Sequence, residues 1–299
     1  MVNPLVSIVI PVYNQAEYLD LSIRSVLGQR YQHIQCIVVD DGSTDGSHSV
    51  AQKYGAKVLL LQQANAGQAA ALNNGFAHAA GDFIGYLSSD DCIDALLVER
   101  LVAWIGDKAN GGPAVAFPRY RTIDEHDAVV NPECPHFEGV RHMVESFRCN
   151  IGPGAIFSKE VLQVVRGWNP AFRQIPDYEF WLRAAAVATF HELPQVLASF
   201  RVHGTSQTYA RHSSERSDES MQLLHNVMEG TIALPAGPDI RVFGASACMY
   251  SSCLHLRSGR FAAGARRYGQ AFRHSRRATL GMQAIKRLAR CLIAGTVHR

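Results

Sequence analysis

Apolar runs and helix-patterned stretches alternate through residues 6–105. Val6–Val12 is apolar and β-branched, and Ala16–Leu27 follows with Leu19, Ile23, Val26 and Leu27 on one helical face. Ile34–Val39 reads as a second strand, with a short helix starting near Ser47. Lys57–Leu61 and Phe83–Leu87 read as further strands, and Gln68–Ala79 and Asp94–Ile105 as further helices. Strands that alternate with helices imply βαβ units, and hence an α/β fold with a mostly parallel sheet.

Beyond residue 113 the pattern loosens. Val115–Pro118 reads as a short strand, Ile151–Phe157 as another or as a glycine-rich approach to a ligand, and Asp177–Ala186 as a helix on which Glu179 and Arg183 form an i, i+4 ion pair. Phe180 and Trp181 on that helix read as core, and Trp168 as a residue of the domain edge or of an acceptor site. Past Val202 strand signals fade. Ser213–Glu229 and most of Tyr250–Ala294 read as helices, separated by a loop at Pro235–Pro238. The expected division is a catalytic α/β domain over 1–210 and a helical, basic region over 211–299.

Of the 29 Lys and Arg residues, 11 follow Cys253, whereas all 26 Asp and Glu precede it. An acidic body with a basic tail suggests different partners for the two parts. The 47% hydrophobic content excludes a disordered chain. Seven cysteines without a CxxC pair fit a reducing compartment, so a cytoplasmic location is expected. No apolar run is long enough for a membrane span. The opening MVNPLVSIVIPVYN reads as a buried strand rather than a signal peptide.

The chemistry is expected at the carboxyl ends of the strands, where open α/β sheets bind ligands. Two strands end there in paired aspartates, Asp40–Asp41 and Asp90–Asp91. Adjacent carboxylates repel and lose solvation unless donors or a cation meet them. Helix capping would explain one pair. Two pairs on one sheet point instead to Mg²⁺ or Mn²⁺, which bind one or two carboxylates plus substrate phosphates. A nucleotide diphosphate with a metal is therefore the expected ligand.

The segments SIVIPVYNQAEYLDLSIRSVLGQRY…CIVVDDGSTDGS, NAGQAAALNNGFAHAAGDFIGYLSSDD, GPGAIFSKEVLQVVRGWNPAFRQIPDYEFWLRAA and LASFRVHGTSQT occur in this order. Together they resemble four blocks of the family 2 glycosyltransferases, from about Leu5 to Thr208. The resemblance implies the GT-A fold, a Rossmann-like, mostly parallel sheet flanked by helices, here with a C-terminal helical appendage. It implies transfer of a sugar, with inversion, from a nucleotide-diphosphate donor, UDP-linked, to a glycan or lipid-linked acceptor. By position, Tyr13 stacks on the base, with Pro11 beside it in the donor site. Asp40 and Asp41 read the base and its surroundings, Asp41 accepting from a uracil N3–H. Gln68 and Asn73 fall on donor-contacting positions, although helix capping explains them equally.

Asp91 is assigned as direct metal ligand, Asp90 as a ribose or metal contact, and His203 as a diphosphate contact or a further metal ligand. Asp177 falls on the general base. The sequence has Ser88 where many relatives carry Asp or Asn, and Pro176 where a Glu is usual. These two departures leave open an inactive relative that binds a nucleotide sugar or scaffolds a glycan-assembly complex. A sugar-1-phosphate nucleotidyltransferase or a dinucleotide oxidoreductase would need a glycine-rich loop where PVYNQAEY stands.

The basic tail carries few aromatics, so nucleic acid is not an expected partner. Within Met282–Ile293, Met282, Ile285, Leu288, Ala289, Leu292 and Ile293 fall on one helical face flanked by basic residues. That pattern suits an in-plane helix on an anionic membrane, on its inner face, or packing on the catalytic domain.

Overall fold

A computed structural model describes residues 3–108, 111–204 and 212–281, together with Lys286, Leu288 and Cys291. Strands β1 (Val6–Val12), β2 (Ile34–Asp40), β3 (Leu59–Gln62) and β4 (Phe83–Tyr86) alternate with helices α1 (Ala16–Leu27), α2 (Ser47–Gln52) and α3 (Gln68–Ala77). The order β3-β2-β1-β4 is parallel throughout. Strand order therefore reverses at β1, and a ligand crevice is expected above its carboxyl end.

The alternation in the sequence explains the packing. Successive strand residues point to opposite faces of the sheet, and β1 is buried on both. Val6, Ile8, Ile10 and Val12 share a core cluster with Leu19, Ile23 and Val26 of α1. Helix α4 (Leu97–Lys108) adds Leu97, Val98, Leu101 and Ile105 to it. On the other face α3 lies so close to β1 and β2 that a Cβ at Gly75 would collide with the side chain of Val9.

The sheet continues antiparallel from β4 to β8 (Ile156–Ser158) and then to β6 (Ala114–Ile123). Strand β9 (Thr189–Arg201) runs parallel to β6, with register shifts near Pro118 and Arg119. The short β5 (Cys92–Ile93) pairs antiparallel with β9, Cys92 opposite Ser199. This pairing brings the end of β9 beside the Asp90–Asp91 turn. On the far side of β6, a hairpin turn leads to β7 (Val129–Asn131).

The chain forms two compact units. The first comprises residues 1–137, 150–171 and 187–203, and the second 138–149, 172–186 and 204–299. The cut differs from a single boundary after residue 210, because two internal stretches group with the C-terminal helices. The second unit holds α5 (Val140–Ser146), α7 (Pro176–Ala184), α8 (Ser214–Ser217), α9 (Glu219–Met228), α10 (Ile240–Arg257), α11 (Phe261–His274) and α12 (Arg276–Leu280). Its core contains Phe147 stacked on Tyr178 at 4.3 Å, with Phe243 and Tyr250 against the same ring. The carboxylate of Glu219 accepts from the backbone N–H groups of Arg173, Gln174 and Ile175, fixing the entry to α7.

Several expected elements shift. The segment read as a strand over 151–157 is extended only from Ile156, and α6 (Lys159–Val165) follows at once. The helix expected from Asp94 begins at Leu97, after β5. The helix expected over 213–229 breaks at Asp218, and the one expected from Tyr250 begins ten residues earlier at Ile240. Most of the amphipathic face at Met282–Ile293 lies outside the described residues. Within it, Leu288 packs with Cys291 against Cys253 and Leu256 of α10, so this part of the face is covered by the protein itself.

Candidate active site

The first unit gathers the loops that leave β1, β2 and β4. Pro11 is buried within β1 opposite Val39, and Tyr13 just beyond the strand is 48% exposed. An aromatic left half in water at a strand's carboxyl end is available for stacking. The backbone from Asn14 to Ala16 is stitched to the loop after β2. The N–H groups of Asn14, Gln15 and Ala16 donate to Ser43, Ser47 and Asp45, while Asn14 Oδ1 accepts from Thr44 N–H. The DGSTDGS run thus holds the loop that presents Tyr13.

Asp40 and Asp41 are buried and their carboxylates are engaged. Asp40 accepts from Ser43 N–H at 2.9 Å, and its second oxygen lies 3.1 Å from His48 Nδ1. Asp41 Oδ1 accepts from Gln63 Nε2 and Ala66 N–H, and Oδ2 from Gly67 N–H, at 2.8–2.9 Å. The second aspartate therefore anchors the loop between β3 and α3. Gln68, half-buried, is the first residue of α3 after that loop. Asn73 uses both ends of its amide on the backbone of Trp168, donating to its carbonyl at 2.7 Å and accepting from its N–H at 2.8 Å. This clamp leaves Asn73 with a structural role. Trp168 is buried, its ring edge-on to Tyr86, so it is a core residue and not an exposed acceptor platform.

The second aspartate pair divides its labour. Asp91 is 2% exposed, and its Oδ1 accepts from Arg201 N–H at 2.8 Å. Burial, with Asp90 next to it, pushes the Asp91 carboxyl well above the usual carboxylate range. The side chain of Asp90 is 19% exposed, and its Oδ2 lies 3.0 Å from His203 Nε2. Ser22 of α1 pins the turn from below, donating to the carbonyls of Ser89 and Asp91.

Asp90 and His203, hydrogen-bonded to each other, are the side chains here that could hold a divalent ion. A carboxylate with an imidazole fits Mn²⁺ or Mg²⁺ when substrate oxygens and water complete the shell. Two neighbouring ligands of an octahedral ion at roughly 2.1 Å lie about 3.0 Å apart. That matches the separation seen here, which is also that of a hydrogen bond. Among the described residues, no three His, Cys, Asp or Glu side chains gather closely enough to hold an ion by themselves.

Arg201 was not singled out from the sequence. It is 1% exposed and reaches the same turn, donating from Nε to the Asp90 carbonyl at 2.9 Å. Its guanidinium lies 5.0 Å from the centre of the Tyr18 ring, which in turn lies 4.9 Å from the His203 ring. The only signal was its place two residues before His203 in the run FRVH.

In the second unit, Asp177 is the second residue of α7, behind Pro176, and Ile175 occupies the N-cap. Burial raises its carboxyl above the ordinary value, while the N–H groups of Tyr178 and Asp177 at the helix start pull the other way. Two residues on, Glu179 accepts both arms of Arg183 at 2.7–2.8 Å, the ion pair expected from the spacing.

The chain is similar to known proteins. An uncharacterized glycosyltransferase of Rickettsia felis is 29% identical over 245 residues, 76% of this chain. The match spans only 39% of that relative's length. Among solved structures, S. aureus TarS in complex with UDP-GlcNAc superposes with a TM-score of 0.66 at 13% identity, covering 98% of this chain and 91% of that one. A mannosyltransferase from Pyrobaculum calidifontis, in complex with GDP-Man and Mn²⁺, gives 0.59 at 17% identity over 99% and 86%. The fold is thus GT-A. Since residues 7–166 also match the profile described as glycosyl transferase family 2, more than half of its length, the chain belongs to that family.

Proposed function

We propose that the chain transfers a sugar from a nucleotide-diphosphate donor, a UDP-sugar, to a hydroxyl of a glycan or lipid-linked acceptor, with inversion at the anomeric carbon. One observation carries this reading. Asp90 and His203, 113 residues apart in sequence, meet at 3.0 Å beside the carboxyl end of β4. The ligands held by TarS and the mannosyltransferase support it.

Tyr13 stacks on the base, and the Asp41-anchored loop forms the wall that reads it. Asp90 contacts the ribose and, with His203, holds Mn²⁺ or Mg²⁺. The metal reading passes from Asp91 to Asp90, because Asp91 is buried and already engaged by the backbone of Arg201. When bound, the ion would neutralise charge on the leaving diphosphate. Asp177 takes the proton from the acceptor hydroxyl as that oxygen attacks the anomeric carbon. A sugar hydroxyl is a poor nucleophile, and a positioned carboxylate of this kind contributes roughly 10²–10⁴-fold. The raised proton affinity of Asp177 makes it a stronger base than an exposed aspartate.

A thermal-shift panel of nucleotide diphosphates and their sugars, with and without Mn²⁺, tests the reading. A ligand that binds the native state raises stability by RT ln(1 + [L]/Kd). Uridine compounds with Mn²⁺ are expected to give the largest shift. A panel in which no nucleotide shifts the melt contradicts a donor site.

A further inference from the structure

We propose that Arg201 is a positioning residue for the Asp90–His203 pair, and that through it the turn between β6 and β7 is coupled to the filling of the donor site. The inference rests on the metal reading above. A buried guanidinium is costly unless its donors are met. Here they are met in a particular way. Nε donates to the carbonyl of Asp90. The other two nitrogens both bond to the turn: one donates to the Asp124 carbonyl at 2.8 Å, the other to Asp127 Oδ1 at 2.6 Å. The N–H of the same residue holds Asp91. One side chain therefore joins the ion-binding turn after β4, the end of β9 that leads to His203, and a hairpin turn remote in sequence.

The turn is built to present that carboxylate. Asp124 Oδ1 accepts from the N–H groups of His126 and Ala128, and Asp124 N–H donates to the Ala128 carbonyl, all at 2.9 Å. Asp127 stands at φ 65°, a conformation that Asp and Asn tolerate better than most residues. Its side chain is 59% exposed, while its partner is 1% exposed. The turn thus faces water on one side and grips the buried hub on the other. A shift of Asp90 on ligation would pull its carbonyl against Nε and so act on the turn. Coupling of this kind is reciprocal: if ion binding orders the turn, loosening the turn weakens ion binding.

Asp127→Asn tests this. It keeps shape and turn geometry, removes the charge facing Arg201, and alters a mostly exposed side chain. Mn²⁺ affinity of the full chain is measured by calorimetry, and hydrogen exchange of amides 124–128 is followed with and without Mn²⁺. Outer-shell partners of metal ligands are typically worth 10–100-fold in affinity, so a loss of about 10-fold is expected. In the parent, Mn²⁺ should slow exchange in the turn; in the variant it should not. Arg201→Lys, which keeps the charge but loses the fork, should reproduce both effects if its melt shows it folded. Unchanged Mn²⁺ affinity in Asp127→Asn, or a parent turn whose exchange ignores Mn²⁺, overturns the coupling while leaving the donor site standing. A parent that binds no Mn²⁺, alone or with UDP, overturns the donor-site metal reading and this inference with it.

Discussion

Replacing Asp41 by Asn removes a charge and converts one oxygen to a donor. In the parent, its two carboxylate oxygens accept from Gln63 Nε2, Ala66 N–H and Gly67 N–H. With the amide nitrogen at the Oδ2 position, Gly67 N–H faces another donor, which costs roughly 1–3 kcal/mol for an unmet buried group. The other two bonds lose charge assistance, about 1 kcal/mol each. Relief from burying a carboxylate returns part of this. The net cost is about 2–4 kcal/mol, concentrated in the loop between β3 and α3. The reverse amide orientation opposes two donors and is worse. Hydrogen exchange gives the most local readout. The amides of Ala66 and Gly67 should exchange about 10²-fold faster in Asp41→Asn, and the denaturation midpoint of the chain should fall. If both amides keep their parental protection, Asp41 does not anchor the loop.

Two further perturbations probe the second unit. Asp177→Asn should lower turnover on the order of 10²-fold or more and leave the donor dissociation constant nearly unchanged, as measured by steady-state kinetics and calorimetry. Because burial raises the Asp177 pKa, the acid limb of the parental rate profile should lie above the ordinary carboxylate value of 3.8, and Asp177→Asn should abolish that limb. Burial alone would also raise Asp218, but bonds from Arg267, Ser251 and His255 outweigh it and hold the group at about 2. A depressed carboxylate stabilises the fold above its unfolded pKa, so this contribution is complete above about pH 4 and is lost as pH falls towards 2. Discounted for its partial exposure it amounts to roughly 1–2 kcal/mol. Asp218→Asn should remove it, giving an acid-unfolding curve flatter than the parent's in that window.

β1 and β2 were legible because each is a largely buried, β-branched run, and β3 and β4, as LLLQ and FIGY, because each is a short apolar run between helix-patterned stretches. β9 (Thr189–Arg201) is not read as a strand from the sequence. Its sequence TFHELPQVLASFR mixes polar residues with Pro194, and only pairing with both β6 and β5 holds it extended. The division of roles within each aspartate pair was also hidden, since it depends on partners far along the chain. Asp41 meets a loop more than twenty residues on, and Asp91 meets Arg201 at a separation of 110. Asn73 is placed in the donor site only by the family resemblance, and it stands inside α3 rather than at its cap. Its partner Trp168 lies 95 positions away and leaves no local trace. Arg201 was invisible for the same reason: a lone arginine in a strand looks like a solvated one until the turn that buries it is in place.

The central claim is that Asp90 and His203 bind the ion that a nucleotide diphosphate completes. Calorimetric titration of UDP into the parent and into Asp90→Ala, each with and without Mn²⁺, tests it most directly. The account predicts tight UDP binding to the parent only with Mn²⁺, and loss of that metal-dependent increment in Asp90→Ala. Equal, metal-dependent binding of UDP by both proteins would contradict it.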